Sequence, residues 1–292
     1  MKILPSVRDD ITREAVCVVG GFDGVHRGHQ ALIQRALELA GTQKKTGVIT
    51  FDPLPIFVLK TKEIFYLTPR CEKEKLLEVL GLDFIFYIDF TAEFAGLTPE
   101  SFAKYVHKMI APAWIVVGEN FHFGKDRKGS AKILKDLASG MFEVDIVPKV
   151  KDEGTISSTR IRELLLLGNI KAANHLLGRE YAIHGAVVKG KGKGTHLGFP
   201  TINLQVEQEK LLPLDGVYKV TVLFDNEEHL GGMFCRHGLV EVHIIDFTGD
   251  LYDIPVQVRI LERIRDIRHF ADDAALRTAI ARDIKKVSNL HP

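Results

Sequence analysis

Cysteine is scarce in this chain of 292 residues: Cys17, Cys71 and Cys235 stand far apart, with no Cys-x-x-Cys pair. That spacing excludes a disulfide framework and a zinc finger. Reduced, mostly buried thiols in an intracellular protein are expected instead. An excess of one charge sign is also missing. The 39 basic and 38 acidic residues leave a net charge of +1, so nothing global asks for nucleic acid or a membrane surface as partner. No run reaches the roughly 20 apolar residues of a membrane span, and the opening Met-Lys-Ile-Leu-Pro carries no apolar signal core. There is no internal repeat and no low-complexity tract. These absences predict a soluble, cytoplasmic protein acting on small molecules, and they leave its oligomeric state open.

What is present is ordinary globular composition, 46% hydrophobic and 26% charged, in a length that suits two domains. The first half alternates two textures. Short β-branched runs predict strands at Ala15–Val19, Gly47–Phe51, Phe84–Ile88, Trp114–Val117 and Val144–Val147. Helical spacing predicts helices at Gln30–Ala40, Glu72–Leu80, Pro99–Ile110 and Ala131–Ala138. Alternating strands and helices imply a parallel sheet covered on both faces, with ligands at the carboxyl ends of its strands. Ser157–Gly168 and Ile170–Leu177 predict two more helices. Beyond Gly178 short strands dominate, at Ala186–Lys189, Val217–Phe224, Val240–Ile245 and Pro255–Leu261, which predicts a small β-barrel. An amphipathic helix over Ala271–Val287 closes the chain, with Ala275, Thr278 and Ala279 on one side and Arg277, Arg282 and Asp283 on the other. The expected domains are 1–180 and 181–292.

Three segments carry chemistry. Gly20-Gly21-Phe22-Asp23-Gly24-Val25-His26-Arg27-Gly28-His29 joins the first major predicted strand to a helix. Glycines allow a sharp turn and a close approach to phosphate. His26 and His29, three apart, share a helix face and can donate to phosphoryl oxygens beside the positive end of the helix dipole. Phosphoryl chemistry needs positioning and charge stabilisation, so no nucleophile need be present. Ile156-Ser157-Ser158-Thr159-Arg160-Ile161-Arg162 reads as a capped helix start. Its hydroxyls and guanidinium also suit a polyphosphate. Lys189, Lys191 and Lys193 alternate with glycine, either as a solvated hairpin or as a phosphate flap.

Taken in order, these segments resemble the bacterial FAD synthetase family, in which riboflavin kinase and FMN adenylyltransferase share one chain. Gly21 to Gln30 is similar to the family's first nucleotide motif, and Thr50-Phe51-Asp52-Pro53-Leu54-Pro55 to its second-strand segment. Val117 to Gly124 is similar to its flavin-side loop, and Ile156 to Arg162 to its phosphate-binding helix start. In the second half, Gly185, Val187, Gly194, Leu197-Gly198-Phe199-Pro200-Thr201-Ile202-Asn203, Pro213, Gly216-Val217-Tyr218 and Val240-Glu241-Val242-His243 resemble its flavokinase signature.

The resemblance implies a nucleotidyltransferase Rossmann-like α/β domain followed by a riboflavin kinase-like β-barrel with a C-terminal helix. It implies AMP transfer from ATP to FMN, giving FAD and pyrophosphate, with Mg²⁺. His26, His29 and Arg160 would be catalytic. Gly21, Phe22, Asp23, Gly28, Ser158, Thr159 and Arg160 would bind ATP, and Asp52, Pro53, Asn120 and Phe123 would lie on the flavin side. Gly194, Thr201 and Asn203 would hold ATP and metal in the kinase module, with Thr201 at the metal and Glu241 as base toward the riboflavin 5′-hydroxyl. His122, where the family often carries Arg, receives no role.

The chain departs from the pattern in two places. Gly231 to Gly238 runs almost directly into Val240-Glu241, so the loop over riboflavin is expected to be shortened, and Ile267 replaces a common Glu. The expectation is therefore an FMN adenylyltransferase with a weakened kinase module. A fully bifunctional enzyme and a nucleotide- or flavin-binding regulatory protein are the alternatives.

Overall fold

The computed structural model describes residues 1–4, 13–59, 65–152, 154–190 and 193–289. It divides into two compact units, Met1–Ile156 and Ser157–Pro292.

The first unit is built on a run that water excludes from both sides. Val16-Cys17-Val18-Val19 is buried at every position, as a strand inside a parallel sheet must be. The strands are β1 (Lys2–Leu4), β2 (Val16–Val19), β3 (Thr46–Asp52), β4 (Phe84–Asp89), β5 (Trp114–Gly118), β6 (His122–Phe123), β7 (Gly129–Ser130), β8 (Glu143–Val147), β9 (Lys151–Asp152) and β10 (Gly154–Thr155). The helices are α1 (Arg27–Ala40), α2 (Pro55–Leu59), α3 (Arg70–Val79), α4 (Ala92–Ala95), α5 (Pro99–Ile110) and α6 (Ala131–Leu137).

The main sheet has the order β1-β4-β3-β2-β5-β8, and all its pairings are parallel. Alternate residues face alternate layers. Val16, Val18, Val48, Ile85 and Val116 pack under Ile33 and Ala36 of α1 and Leu77 of α3. Cys17, Val19, Ile49, Phe86, Ile115 and Val117 pack under Phe102, Val106 and Ile110 of α5 and Leu134 of α6. From β2 the chain winds outward through β3 and β4, then crosses back to β5 and β8. The order therefore reverses at β2 and β5, where open α/β sheets bind ligands.

The second unit opens with α7 (Ser158–Leu166) and α8 (Ile170–Leu177), then β11 (Tyr181–Val188), α9 (Lys193–His196), β12 (Ile202–Val206), β13 (Gly216–Phe224), β14 (Glu227–Arg236), β15 (Leu239–Ile244), β16 (Pro255–Arg265) and α10 (Asp273–Asn289). The strands close a barrel in the order β11-β12-β15-β14-β13-β16. Every pairing is antiparallel, and closure leaves no free edge. Ile183, Val222 and Val258 stand in register across three strands and are fully buried. Asn174 fastens α8 to this barrel, accepting from the Tyr181 amide at 2.8 Å and donating to the Ile260 carbonyl at 2.8 Å. The sequence places a boundary near residue 180, whereas the compact units divide between Ile156 and Ser157, so that α7 and α8 group with the barrel.

Three expectations change. The segment from Gly231 to Gly238 is not a loop: Gly231 to Arg236 is the end of β14, which pairs with β15 residue by residue. A Cβ on Gly231 would fall 2.8 Å from the His243 carbonyl oxygen, so glycine admits close strand contact there. The helix α10 does not bury Ala275 or Thr278, which are exposed. Its covered positions are Asp283 and Val287, and Asp283, expected to face water, takes Arg265 through contacts of 2.7 and 2.9 Å. Finally, Cys71 is exposed, whereas Cys17 and Cys235 are buried thiols.

Candidate active sites

Between β2 and α1 the backbone makes an unusual path. Phe22, Gly24 and Val25 have φ of 49°, 85° and 38°, a region that only glycine enters freely. Burial holds the other two there, with Phe22 0% and Val25 1% exposed. Asp23 anchors the turn. Its carboxylate accepts the amides of Leu67 at 3.3 Å and Thr68 at 3.0 Å, and the Thr68 hydroxyl in turn accepts from the Gly24 amide at 2.8 Å. Phe22 and Asp23, expected at ATP, turn their side chains inward.

His26 caps α1: its Nδ1 accepts from the His29 amide at 3.3 Å. A ring nitrogen that accepts holds a lone pair, so a neutral His26 carries its proton on Nε2. The His26 and His29 rings stack at 3.6 Å and 12°, and two cations could not share that spacing cheaply. A Cβ on Gly28 would lie 3.2 Å from the His26 ring, a tight contact that the ring would have to shift to relieve.

The loops after the two strands flanking β2 complete this end of the sheet. Asp52 ends β3, half-buried, and Pro53 follows it, exposed. Arg70 of α3 donates to Asp52 at 2.9 Å and to Glu74 at 2.9 Å, and lies 4.1 Å above the Tyr87 ring. Asn120 is exposed just past β5. Phe123 is 7% exposed, wedged between Phe121 at 5.5 Å and Phe102 at 4.9 Å, so its ring serves the core. His122 contacts the Asn120 carbonyl through Nδ1 at 2.8 Å.

In the second unit, Ser157 caps α7 by accepting from the Arg160 amide at 3.2 Å. Ser158 is half-buried and Thr159 and Arg160 are exposed on the first turn. Within the barrel, Asn203 of β12 pairs in register with Glu241 of β15, and Thr201 lies just before β12. A Cβ on Gly194 would fall 2.4 Å from the Phe199 carbonyl oxygen and 3.0 Å from the Thr201 hydroxyl. A Cβ on Gly190 would fall 2.0 Å from the Asn203 amide. His243, named in a motif but given no role from sequence, contacts the Pro200 carbonyl through Nδ1 at 2.7 Å and meets Phe199 edge-on at 5.8 Å. Lys189 stands 6.0 Å from the Tyr252 ring. Lys191 and the side chain of Lys193 lie outside the described residues. The expected short loop before Glu241 is a turn at His237-Gly238, whose φ values of 48° and 84° suit a tight hairpin. Asp215 braces it through the His237 amide at 3.0 Å.

Comparison with known proteins agrees with this two-part layout. The FAD synthetase model matches residues 8–160 and the riboflavin kinase model residues 177–291. The chain is 36% identical to a bifunctional riboflavin kinase/FMN adenylyltransferase of Listeria monocytogenes, over 84% of this chain and 82% of that one. It is 35% identical to the Escherichia coli K12 protein of the same description, over 92% and 90%. A crystal structure from Streptococcus pneumoniae, described as a macrolide-efflux protein, is 33% identical with a TM-score of 0.89 over 99% of both chains. The fold is thus that of a parallel α/β nucleotidyltransferase unit joined to a flavokinase-type barrel. The chain belongs to the FAD synthetase family of bifunctional riboflavin kinase/FMN adenylyltransferases. Among the described residues, no helix is long and apolar enough to cross a membrane.

Proposed function

We propose that the chain transfers AMP from ATP to FMN, giving FAD and pyrophosphate. The observation that carries this is the stacked His26–His29 pair on the first turn of α1, at the reversal point of the sheet. A phosphate oxygen of FMN attacks the α-phosphorus of ATP, and the bond from that phosphorus to the β-phosphate bridge breaks. Charge grows on the phosphoryl oxygens as this happens, and His29 stabilises it beside the helix N-terminus. By the family resemblance, Ser158, Thr159 and Arg160 would take the departing phosphates. Asp52, Pro53 and Asn120 bound the flavin side. The names of the relatives support this choice of acceptor.

A second activity has its own support. The Asn203–Glu241 register and the riboflavin kinase match favour riboflavin phosphorylation by the barrel, with Glu241 taking the 5′-hydroxyl proton. Thr201 and Asn203 are oxygen donors, which suit Mg²⁺ arriving with nucleotide phosphates. Gly190 and Gly194 leave close backbone approaches that a Cβ would fill. The departure expected before Glu241, a tight turn at His237-Gly238, favours this second reaction being the slower. The test incubates the protein with ATP, Mg²⁺ and either FMN or riboflavin and separates the products by chromatography. FAD from FMN supports the reading; binding of both substrates without turnover would replace it with the regulatory alternative.

A further inference from the structure

The first turns of α3 carry two cations, Arg70 and Lys73, three residues apart and so on one face. Arg70 is half-exposed and pairs with carboxylates. Lys73 is only 2% exposed, and its Nζ donates to the Gly21 carbonyl at 3.3 Å. Gly21 belongs to the loop that delivers His26 and His29. Its carbonyl also accepts from the Thr50 hydroxyl at 3.2 Å, so two side chains from two elements fix one peptide of that loop.

A buried ammonium is expensive unless well compensated. An apolar side chain would fill the slot under Tyr87 at less cost, so packing does not account for a lysine there. Its placement does: the same helix face reaches the nucleotide loop through Lys73 and Asp52 through Arg70, with both cations near the Tyr87 ring, at 5.9 and 4.1 Å. We infer that Lys73 is a positioning residue for adenylyl transfer, its ammonium holding the Gly21 peptide so that the His26–His29 pair meets the reacting phosphate.

This inference rests on the adenylyltransferase reading above. The groups facing Lys73 are Asp23 from the nucleotide loop, Asp52 from the end of β3, Arg70 and Glu74 from α3, and Tyr87 from β4. Burial is the largest influence and lowers the lysine's pKa, and Asp23 opposes it. The charged form is present below that pKa and lost above it, so activity that needs the ammonium should fall at a pH below the ordinary lysine range.

The experiment measures FAD formation from FMN by the full chain and by Lys73→Met, from about pH 7 to about pH 10, the span beneath an unperturbed lysine. Methionine keeps the volume and removes the buried charge, and thermal melting checks the fold. The expected result is a kcat/KM for ATP roughly 10- to 100-fold lower at neutral pH, as misplacement of reacting groups produces. The alkaline fall seen in wild type should be missing in the variant. A wild type that makes FAD without any alkaline fall overturns the inference even if the variant fails to fold. Wild-type kcat/KM in a folded Lys73→Met also overturns it. A wild type that makes no FAD at any pH overturns the function and this inference with it.

Discussion

Removing the His29 ring separates chemistry from folding in a way that removing His26 does not. The bond capping α1 runs from the His29 backbone amide to the His26 ring, so His29→Ala keeps both of its atoms. Among the contacts it loses are the stack at 3.6 Å with His26 and the contact at 5.0 Å with Phe22. Ring pairs of this kind are worth about 0.5–1.5 kcal/mol. That lowers the melting temperature by roughly 1–6 °C in a unit of this size. The rate should suffer far more. Loss of one donor to developing phosphoryl charge typically costs on the order of 10²–10³ in kcat. His26→Ala should lose both the ring and the cap, the latter worth about 1 kcal/mol. His26→Asn should regain the cap, since Asn is a strong N-cap residue, without regaining the rate. The assay is steady-state FAD formation from FMN and ATP beside a melting curve. A His29→Ala protein within about threefold of wild-type kcat, a loss of only about 0.6 kcal/mol in barrier, would refute the reasoning and remove His29 from the site.

Arg160→Ala should raise the KM for ATP with little change in the KM for FMN, reflecting a charge-assisted contact worth roughly 1.5–3 kcal/mol; collapsed FMN kinetics with unchanged ATP kinetics would reverse that assignment. With riboflavin in place of FMN, turnover should be slower, because a tight turn at His237-Gly238 stands where the family pattern has a loop over riboflavin, and enclosure helps to position the acceptor; equal turnover would show that another element supplies the enclosure. Asp23→Ala should strand two buried amides, Leu67 and Thr68, at about 1–3 kcal/mol each. Its denaturation midpoint should therefore fall together with FAD formation, and an unchanged midpoint would contradict the anchoring role.

The parallel sheet was legible because its strands are buried on both faces and so read as unbroken β-branched runs, as in Val16-Cys17-Val18-Val19. The His-x-Gly-His segment was legible because glycine and histidine mark a strand-to-helix turn locally. Legibility failed where the cause lies far away in sequence. Lys73 beside Arg70 reads as a solvated helix face, and only the fold brings Gly21, 52 residues earlier, to its ammonium. Asp283 reads as surface until Arg265 meets it from β16. The strand β14 went unseen because its segment reads as a shortened loop; its pairing with β15 depends on a partner strand that the local sequence does not announce. Phe123 sits in a motif that the family resemblance assigns to flavin, and nothing in its sequence neighbourhood announces that Phe102 and Phe121 enclose it.

The order of strands in the first sheet also sets a timetable for synthesis. At the centre, Val16 pairs with Thr46, about 30 residues later, so at roughly 5–20 residues per second this pair is complete within about 2–6 s. The three-residue β1 lies at the sheet's edge, and Lys2 pairs with Phe84, about 80 residues on, a wait of roughly 4–16 s. The sheet therefore starts from β2 and β3 near its middle; β1 must wait for β4, and β5 and β8 follow later still. Until it docks, the Phe84-Ile85-Phe86 stretch of β4 offers an open apolar edge on the ribosome, the kind of edge that pairs with other chains. In this sense the short β1 protects the nascent chain, covering that edge within seconds of its emergence.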